Sequence, residues 1–220
     1  MNIMKHVLKT TSLVLCASLM AAPVVPAVFS IHAAHAASAS DAQVQEPIKA
    51  LYAALDRIQA KGAGSFEQRS QILAPAIDHA YDMEAVLASS VGPRYATLPD
   101  DQKQALLATF RQFTIARYVS SFKPGSDARF TIDPAVTASP VGNDRIVVTR
   151  IGSSDDANGT EINYVMRSGA RGWQIVDVLL NAHISQVAAQ RADFSSALSG
   201  GNVQKLTNLL QKKIKTFSEE

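Results

Sequence analysis

Cysteine is almost absent from this sequence. The 220 residues include one, Cys16, and it lies in an apolar stretch near the N-terminus. If that stretch is removed, the rest of the chain can form no disulfide and must be held together by its apolar core. An exported chain without cysteine is more typical of a Gram-negative periplasm than of the cell exterior.

The N-terminus has the layout of a secretory signal peptide rather than of a membrane span. Lys5 and Lys9 form a short basic region, an apolar run follows over residues 13–29, and Ala34-His35-Ala36 is an A-x-A cleavage pattern. We therefore expect residues 1–36 to be removed, which makes the periplasm the expected location. Residues 37–220 are long enough to form one domain with a sizeable core.

A strong excess of charge is also lacking. The sequence has 21 Lys and Arg against 19 Asp and Glu, and two of the lysines lie in the signal peptide. The only basic cluster that stands out contains Lys212, Lys213 and Lys215, near the C-terminus. Because nucleic-acid binding needs many phosphate contacts, this composition argues against a nucleic-acid partner.

Patterns typical of metal, cofactor or catalytic sites are missing as well. Beyond the signal peptide only His79 and His183 remain, without a metal-binding spacing, and no glycine-rich phosphate loop follows a strand. We expect no metal and no cofactor. Asp177, His183 and Ser185 could form a hydrolytic triad, but the chain has no Gly-x-Ser-x-Gly motif, and a triad depends on geometry rather than on closeness in sequence. We therefore expect no catalytic residues.

Aromatic residues are few, and the single tryptophan, Trp173, opens an apolar stretch rich in β-branched residues over 172–180. This stretch predicts a central strand in which Trp173, Ile175, Asp177 and Leu179 share one face. A carboxylate in such a strand needs a partner. Arg191 lies on the apolar stripe of the helix predicted to follow, so we predict an ion pair between Asp177 and Arg191. The alternative role of Arg191 is contact with a ligand headgroup.

The remaining elements follow from hydrophobic periodicity and turn residues. Residues 37–45 read as a polar lead, Ser65 with Gln68 as a capping box, and Thr97 as the N-cap of a long helix. The predicted helices cover 44–58, 65–77, 81–91, 97–122, 184–198 and 202–217. The predicted strands cover 128–133, 145–151, 161–167 and 172–180, with a short one at 135–139. Helices, then antiparallel strands, then helices indicate an α+β fold, with one twisted antiparallel sheet of about four strands and about six or seven helices.

Over roughly residues 44–215, the chain resembles the MlaC family. The residues that carry the likeness are Tyr81-Asp82-Met83, Gly92, Leu98 to Gln102, Phe110 and Tyr118, then Gly172-Trp173, Asp177, Arg191, Phe194 and Gly200-Gly201. Within the family, the stretch from Asp177 to Phe194 is similar to the HpnM branch, which is linked to hopanoid biosynthesis. The chain has Asn181-Ala182 where the family pattern has a glycine after the strand.

The resemblance implies a soluble periplasmic shuttle that holds the acyl chains of a lipid in an apolar cavity between sheet and helices. Phospholipid or hopanoid would be the cargo. The partner would be a membrane-bound transport complex of the MCE or RND type with an ABC transporter. The shuttle itself would be a monomer, and it would not be an enzyme. The residues expected to line the cavity are Val86, Leu87, Phe110, Phe113, Tyr118, Tyr164, Met166, Val176, Val178, Ile184 and Val187.

Two other functions remain open at this point. A small periplasmic hydrolase or isomerase could use a concave α+β architecture of the same kind, with His183 or Asp177 as the base. A scaffold of an envelope complex would need no ligand at all. Aromatic residues at these spacings occur in packed cores as well as in pockets, so the residues themselves do not separate these functions.

Overall fold

The computed structural model describes residues 29–199 and 203–219, with side chains from residue 40 onward. Most of the predicted signal peptide, residues 1–28, lies outside the described residues, as do Gly200-Gly201 and the predicted N-cap Asn202. The helices are α1 (Phe29–Gln59), α2 (Phe66–Ala80), α3 (Met83–Val91), α4 (Asp100–Ser121), α5 (Gln186–Leu198) and α6 (Val203–Glu219). The strands are β1 (Arg129–Ala138), β2 (Arg145–Gly152), β3 (Thr160–Gly169), β4 (Gly172–Leu180) and β5 (Ile184–Ser185).

The predicted α+β fold is confirmed. The strands form one sheet in the order β1-β2-β3-β4-β5, and every neighbouring pair is antiparallel. Two predicted strands merge into β1, whose pairing with β2 shifts register between Ile132 and Val136. The two-residue β5 was predicted as the start of a helix, whereas it pairs with the end of β4. Within the described residues, no helix is both long enough and apolar enough to cross a membrane.

A β-bulge in β4 changes which side chains share a face. Met166 pairs with Ile175 and Val165 pairs with Asp177, so Val176 is an extra residue on β4. Directly paired residues point to the same face, so Ile175 joins Met166 on one face while Asp177 joins Val165 on the other. The prediction that Ile175 and Asp177 share a face was wrong, because strict alternation does not hold across a bulge.

The helix boundaries show where local signals work and where they fail. The capping box predicted at Ser65 and Gln68 is present in both directions, and α2 runs through Pro75 without a break. Thr97 does not cap α4; it ends a short 3₁₀ helix (Pro93–Thr97), and its hydroxyl donates a hydrogen bond to the Arg94 carbonyl. Residues 37–45 were predicted as a polar lead but belong to α1, since alanine is the strongest helix former.

Candidate functional site

Most of the predicted cavity wall forms one apolar surface inside the molecule. Nine of the eleven predicted residues belong to the core or pack directly against it: Val86, Leu87, Phe110, Phe113, Tyr164, Met166, Tyr118, Val178 and Val187. Val176 is buried but lies outside this cluster, and Ile184 is half exposed because it sits on the edge strand β5. The structure thus brings the wall residues of α3, α4, β3 and β4 together. Their contact with lipid stays a prediction.

Phenylalanine rings connect the last three helices through this wall. Phe110 of α4 meets Phe194 of α5 edge to face, with ring centroids 6.3 Å apart. Phe113, one turn further along α4, lies 6.0 Å from Phe217 of α6. Both α5 and α6 therefore contact α4 through a phenylalanine ring.

A second set of aromatic residues, the tyrosines, places hydroxyl groups in the interior. The Tyr52 and Thr149 hydroxyls lie 2.7 Å apart and those of Tyr81 and Tyr118 2.6 Å apart, while Tyr164 packs edge to face against Tyr52. Burial is the largest cause raising the pKa of Tyr52 to about 12, and it also raises the pKa values of Tyr81 and Tyr164. These phenols therefore stay protonated and serve as hydrogen-bonding groups within an apolar interior.

Sequence reasoning missed Tyr52 and Tyr81 as interior polar residues. Tyr52 lies on α1 next to Leu51, on the predicted apolar face of the helix. A hydroxyl on such a face indicates that a polar partner lies inside. The partner of Tyr52, Thr149, is 97 residues away in sequence, so local patterns could not identify it.

The ion pair predicted between Asp177 and Arg191 is not formed among the described residues. The Asp177 carboxylate instead accepts hydrogen bonds from the backbone N–H groups of Val178 (2.7 Å) and Val187 (3.1 Å) and from the Ser185 hydroxyl (2.5 Å). The bulge turns Asp177 toward the N-terminus of α5, where free N–H groups and the helix dipole favour a carboxylate. Asp177 is thus satisfied by the helix end and not by a cation.

The geometry at Ser185 is that of a helix cap. Its hydroxyl oxygen accepts a hydrogen bond from the Ala188 N–H at 3.0 Å while its proton points to Asp177. His183 does not lie between them, and within the described chain its ring makes no hydrogen bond to either residue. A nucleophile needs a base within hydrogen-bond reach. Among the described residues, the one carboxylate hydrogen-bonded to Ser185 is that of Asp177, whose charge the Ser185 hydroxyl itself helps to stabilise.

Among the clefts on the described part of the chain, four are lined by none of the eleven predicted wall residues. The largest of these four, about 530 Å³, is bordered by Trp173, Arg171 and the paired side chains of His79 and Glu46. A cleft of about 340 Å³ lies between α3 and α5, with Arg191 on its border. No group of three or more potential metal-ligating side chains occurs in the described residues.

Comparison with known proteins identifies the family to which this chain belongs. The profile of the MlaC protein family matches residues 45–212, which is most of the chain. The chain therefore belongs to the MlaC family. Comparison with curated proteins gave no match.

A solved structure supports the fold. A protein from Ralstonia solanacearum, described as a phospholipid-binding protein in complex with a phospholipid, superposes with a TM-score of 0.67 at 16% sequence identity. The match covers 80% of this chain and 98% of the other. At this identity the likeness shows a shared fold.

Proposed function

We propose that this protein is a periplasmic lipid carrier that holds the acyl chains of one lipid between its sheet and helices. The observation that carries the proposal is membership of the MlaC family over residues 45–212. The similar fold of a phospholipid-binding protein supports it. The predicted signal peptide, residues 1–36, would direct the chain to the periplasm.

The interior of the molecule offers the surface that such a carrier needs. The apolar side chains of Leu87, Phe110 and Met166 come from α3, α4 and β3 and meet in one cluster. Removing a methylene from water is worth about 0.8 kcal/mol. A lipid therefore leaves a membrane only if the protein buries its acyl chains in a comparable apolar environment. The wall would provide this cover once the helices move away from the sheet.

Uptake then involves replacing contacts between helices by contacts with lipid. The ring pairs Phe110–Phe194 and Phe113–Phe217 hold α5 and α6 against α4. In the loaded protein, acyl chains would take the place of some of these contacts. Because the lipid binds the native state and not the unfolded chain, occupancy raises the free energy of unfolding.

Release requires a partner that prefers the open form, since a ligand or partner shifts an equilibrium only through differential affinity. A membrane-bound MCE-type or RND-type complex with an ABC transporter would be this partner. The carrier would act as a monomer, and its cargo would be a phospholipid or, following the likeness to the HpnM branch, a hopanoid.

The test is transfer of a fluorescent phospholipid between two vesicle populations, with and without the reconstituted membrane complex. We expect slow transfer by the protein alone and a large acceleration by the complex. In parallel, esterase activity is measured on the same lipid. Absence of transfer in both cases would contradict the carrier function, and ester turnover would favour the hydrolase.

A further inference from the structure

The cleft between α3 and α5 differs in charge from the other three described clefts. Its lining contains two arginines, Arg94 and Arg191, and no carboxylate, whereas each of the other three includes Asp or Glu. The remaining lining residues are Val91, Pro93, Ser195, Leu198 and Ser199. The lining is therefore cationic and otherwise uncharged.

The guanidinium of Arg191 lies close to the backbone of Gly92 and is not paired with a carboxylate among the described residues. It lies against the backbone of Gly92: a Cβ built on that residue would be 2.8 Å from Nη2 of Arg191. Gly92 has a φ of 82°, so any other residue there would be strained and would also displace the guanidinium. No acceptor for Arg191 is found within residues 40–199 and 203–219.

Arg94 approaches the cleft from the 3₁₀ helix. Its Nη1 donates a hydrogen bond to the carbonyl of Leu198, at the end of α5. A guanidinium has five N–H donors, so Arg94 keeps others for a ligand. The hydroxyls of Ser195 and Ser199 already donate to backbone carbonyls. The donors on offer in this cleft therefore come from the arginines.

The floor of the cleft is continuous with the interior wall. Val91 and Leu198 line the cleft and also belong to the buried apolar core. Phe194 lies one helical turn before Leu198 and contacts Phe110. An amphiphile with its anionic group on the two arginines would place its apolar part at the seam between α3 and α5, where the wall begins.

We propose that the Arg94–Arg191 cleft binds a phosphate group, and that the group belongs to the lipid whose chains enter between α3 and α5. Guanidinium groups match phosphate geometry, and charge-assisted hydrogen bonds are stronger than neutral ones. The inference rests on the proposed carrier function and adds its recognition element: a phosphorylated lipid is preferred over a neutral lipid with the same chains.

The experiment is a competition between two lipids that differ only in phosphate. The purified protein is incubated with equal amounts of dioctanoylphosphatidate and dioctanoylglycerol, separated from free lipid, and its bound lipids are quantified by mass spectrometry. We expect the wild type to favour dioctanoylphosphatidate about tenfold or more. Arg191→Gln should bring this ratio close to one.

Arg171→Gln is the matched control. It removes one exposed arginine from clefts that also contain Glu46, Asp78 and Glu84, so it should keep the wild-type ratio. An unchanged ratio in Arg191→Gln, or equal binding of both lipids by the wild type, would overturn the inference and leave the carrier function intact. Failure to bind either lipid would instead contradict the carrier function.

Inorganic phosphate distinguishes the two sources of the anion. Titrated into the protein, it should bind far more weakly than dioctanoylphosphatidate, because the acyl chains contribute contact with the wall. Equal affinities, both lost in Arg191→Gln, would show that the cleft takes free phosphate and would overturn its assignment to the lipid.

Discussion

The Ser185 hydroxyl donates a 2.5 Å hydrogen bond to the Asp177 carboxylate, which joins the end of β4 to the first turn of α5. The same carboxylate accepts from the Val187 N–H, and the Ser185 oxygen accepts from the Ala188 N–H. Asp177 and Ser185 thus share the capping of one helix. This arrangement fixes where α5 leaves the sheet and, with it, the position of Phe194 and Arg191.

The first prediction separates this cap from the ion pair expected from the sequence. Asp177→Ala should lower the free energy of unfolding by about 1–3 kcal/mol, because three donors lose their acceptor. In double-mutant cycles, Ser185→Ala should couple to it by about 0.5–3 kcal/mol. Arg191→Ala should couple by less than about 0.5 kcal/mol. All of these free energies are measured by urea unfolding. A coupling energy between Asp177 and Arg191 that exceeds the one between Asp177 and Ser185 would contradict the cap.

The second prediction concerns the loop after β4. Asn181 and Ala182 have φ values of 50° and 66°, in the left-handed region that disfavours residues with a Cβ. Ala182→Gly should therefore raise the free energy of unfolding by about 1 kcal/mol. Ala170→Gly, in the β3–β4 turn, is the control, since Ala170 is not among the residues with positive φ; it should not stabilise. A destabilised Ala182→Gly variant would show that this loop is not strained.

The third prediction follows from the interior tyrosines. Burial raises the pKa of Tyr52 from 10.0 to about 12, so the unfolded chain releases this proton at a lower pH than the folded protein does. The stabilisation is complete below pH 10 and declines between pH 10 and 12, by about 2–3 kcal/mol for Tyr52. Tyr52→Phe should make the free energy of unfolding fall less steeply with pH across that range, by a slope that corresponds to roughly one proton. Unfolding curves measured at several pH values give this slope. An unchanged slope would mean that the Tyr52 phenol is not protected in the folded state.

The fourth prediction places the lipid. A phospholipid with a photoreactive group on its acyl chain should label the wall, above all α3 and α4 around Leu87, Phe110 and Phe113. The cleft between α2 and α4, lined by Phe66 and Ala74, is the internal comparison and should stay unlabelled. Peptide mapping by mass spectrometry reads both regions in one sample. Label confined to the α2–α4 cleft would show that the wall is assigned to the wrong side of α4.

Much of the fold could be predicted because its signals are local. The capping box at Ser65, the stop at Gly92 and the alternation in β2 and β3 depend on residues that are close in sequence. The burial of Phe110 and Tyr164 could also be predicted, since both are large apolar residues on periodic faces. Their clustering follows from the general need to bury such side chains.

The details that required the structure depend on distant or irregular contacts. The bulge at Val176 sends Asp177 to the face opposite Ile175, and simple alternation does not contain that information. The hydrogen bond between Tyr52 and Thr149 links α1 to β2. The α3–α5 cleft brings Arg94 and Arg191 together from parts of the chain about a hundred residues apart. None of these relationships has a signal at short sequence distance.

The most direct test of the central claim is native mass spectrometry of the protein purified from the periplasm in the absence of detergent. The account predicts a species heavier than the processed chain by the mass of one lipid, in near-stoichiometric amount, and solvent extraction should identify that lipid as a phospholipid or hopanoid. Removing it should lower the melting temperature. A protein that is consistently free of lipid, and whose melting temperature does not change when lipid is added, would contradict the carrier function.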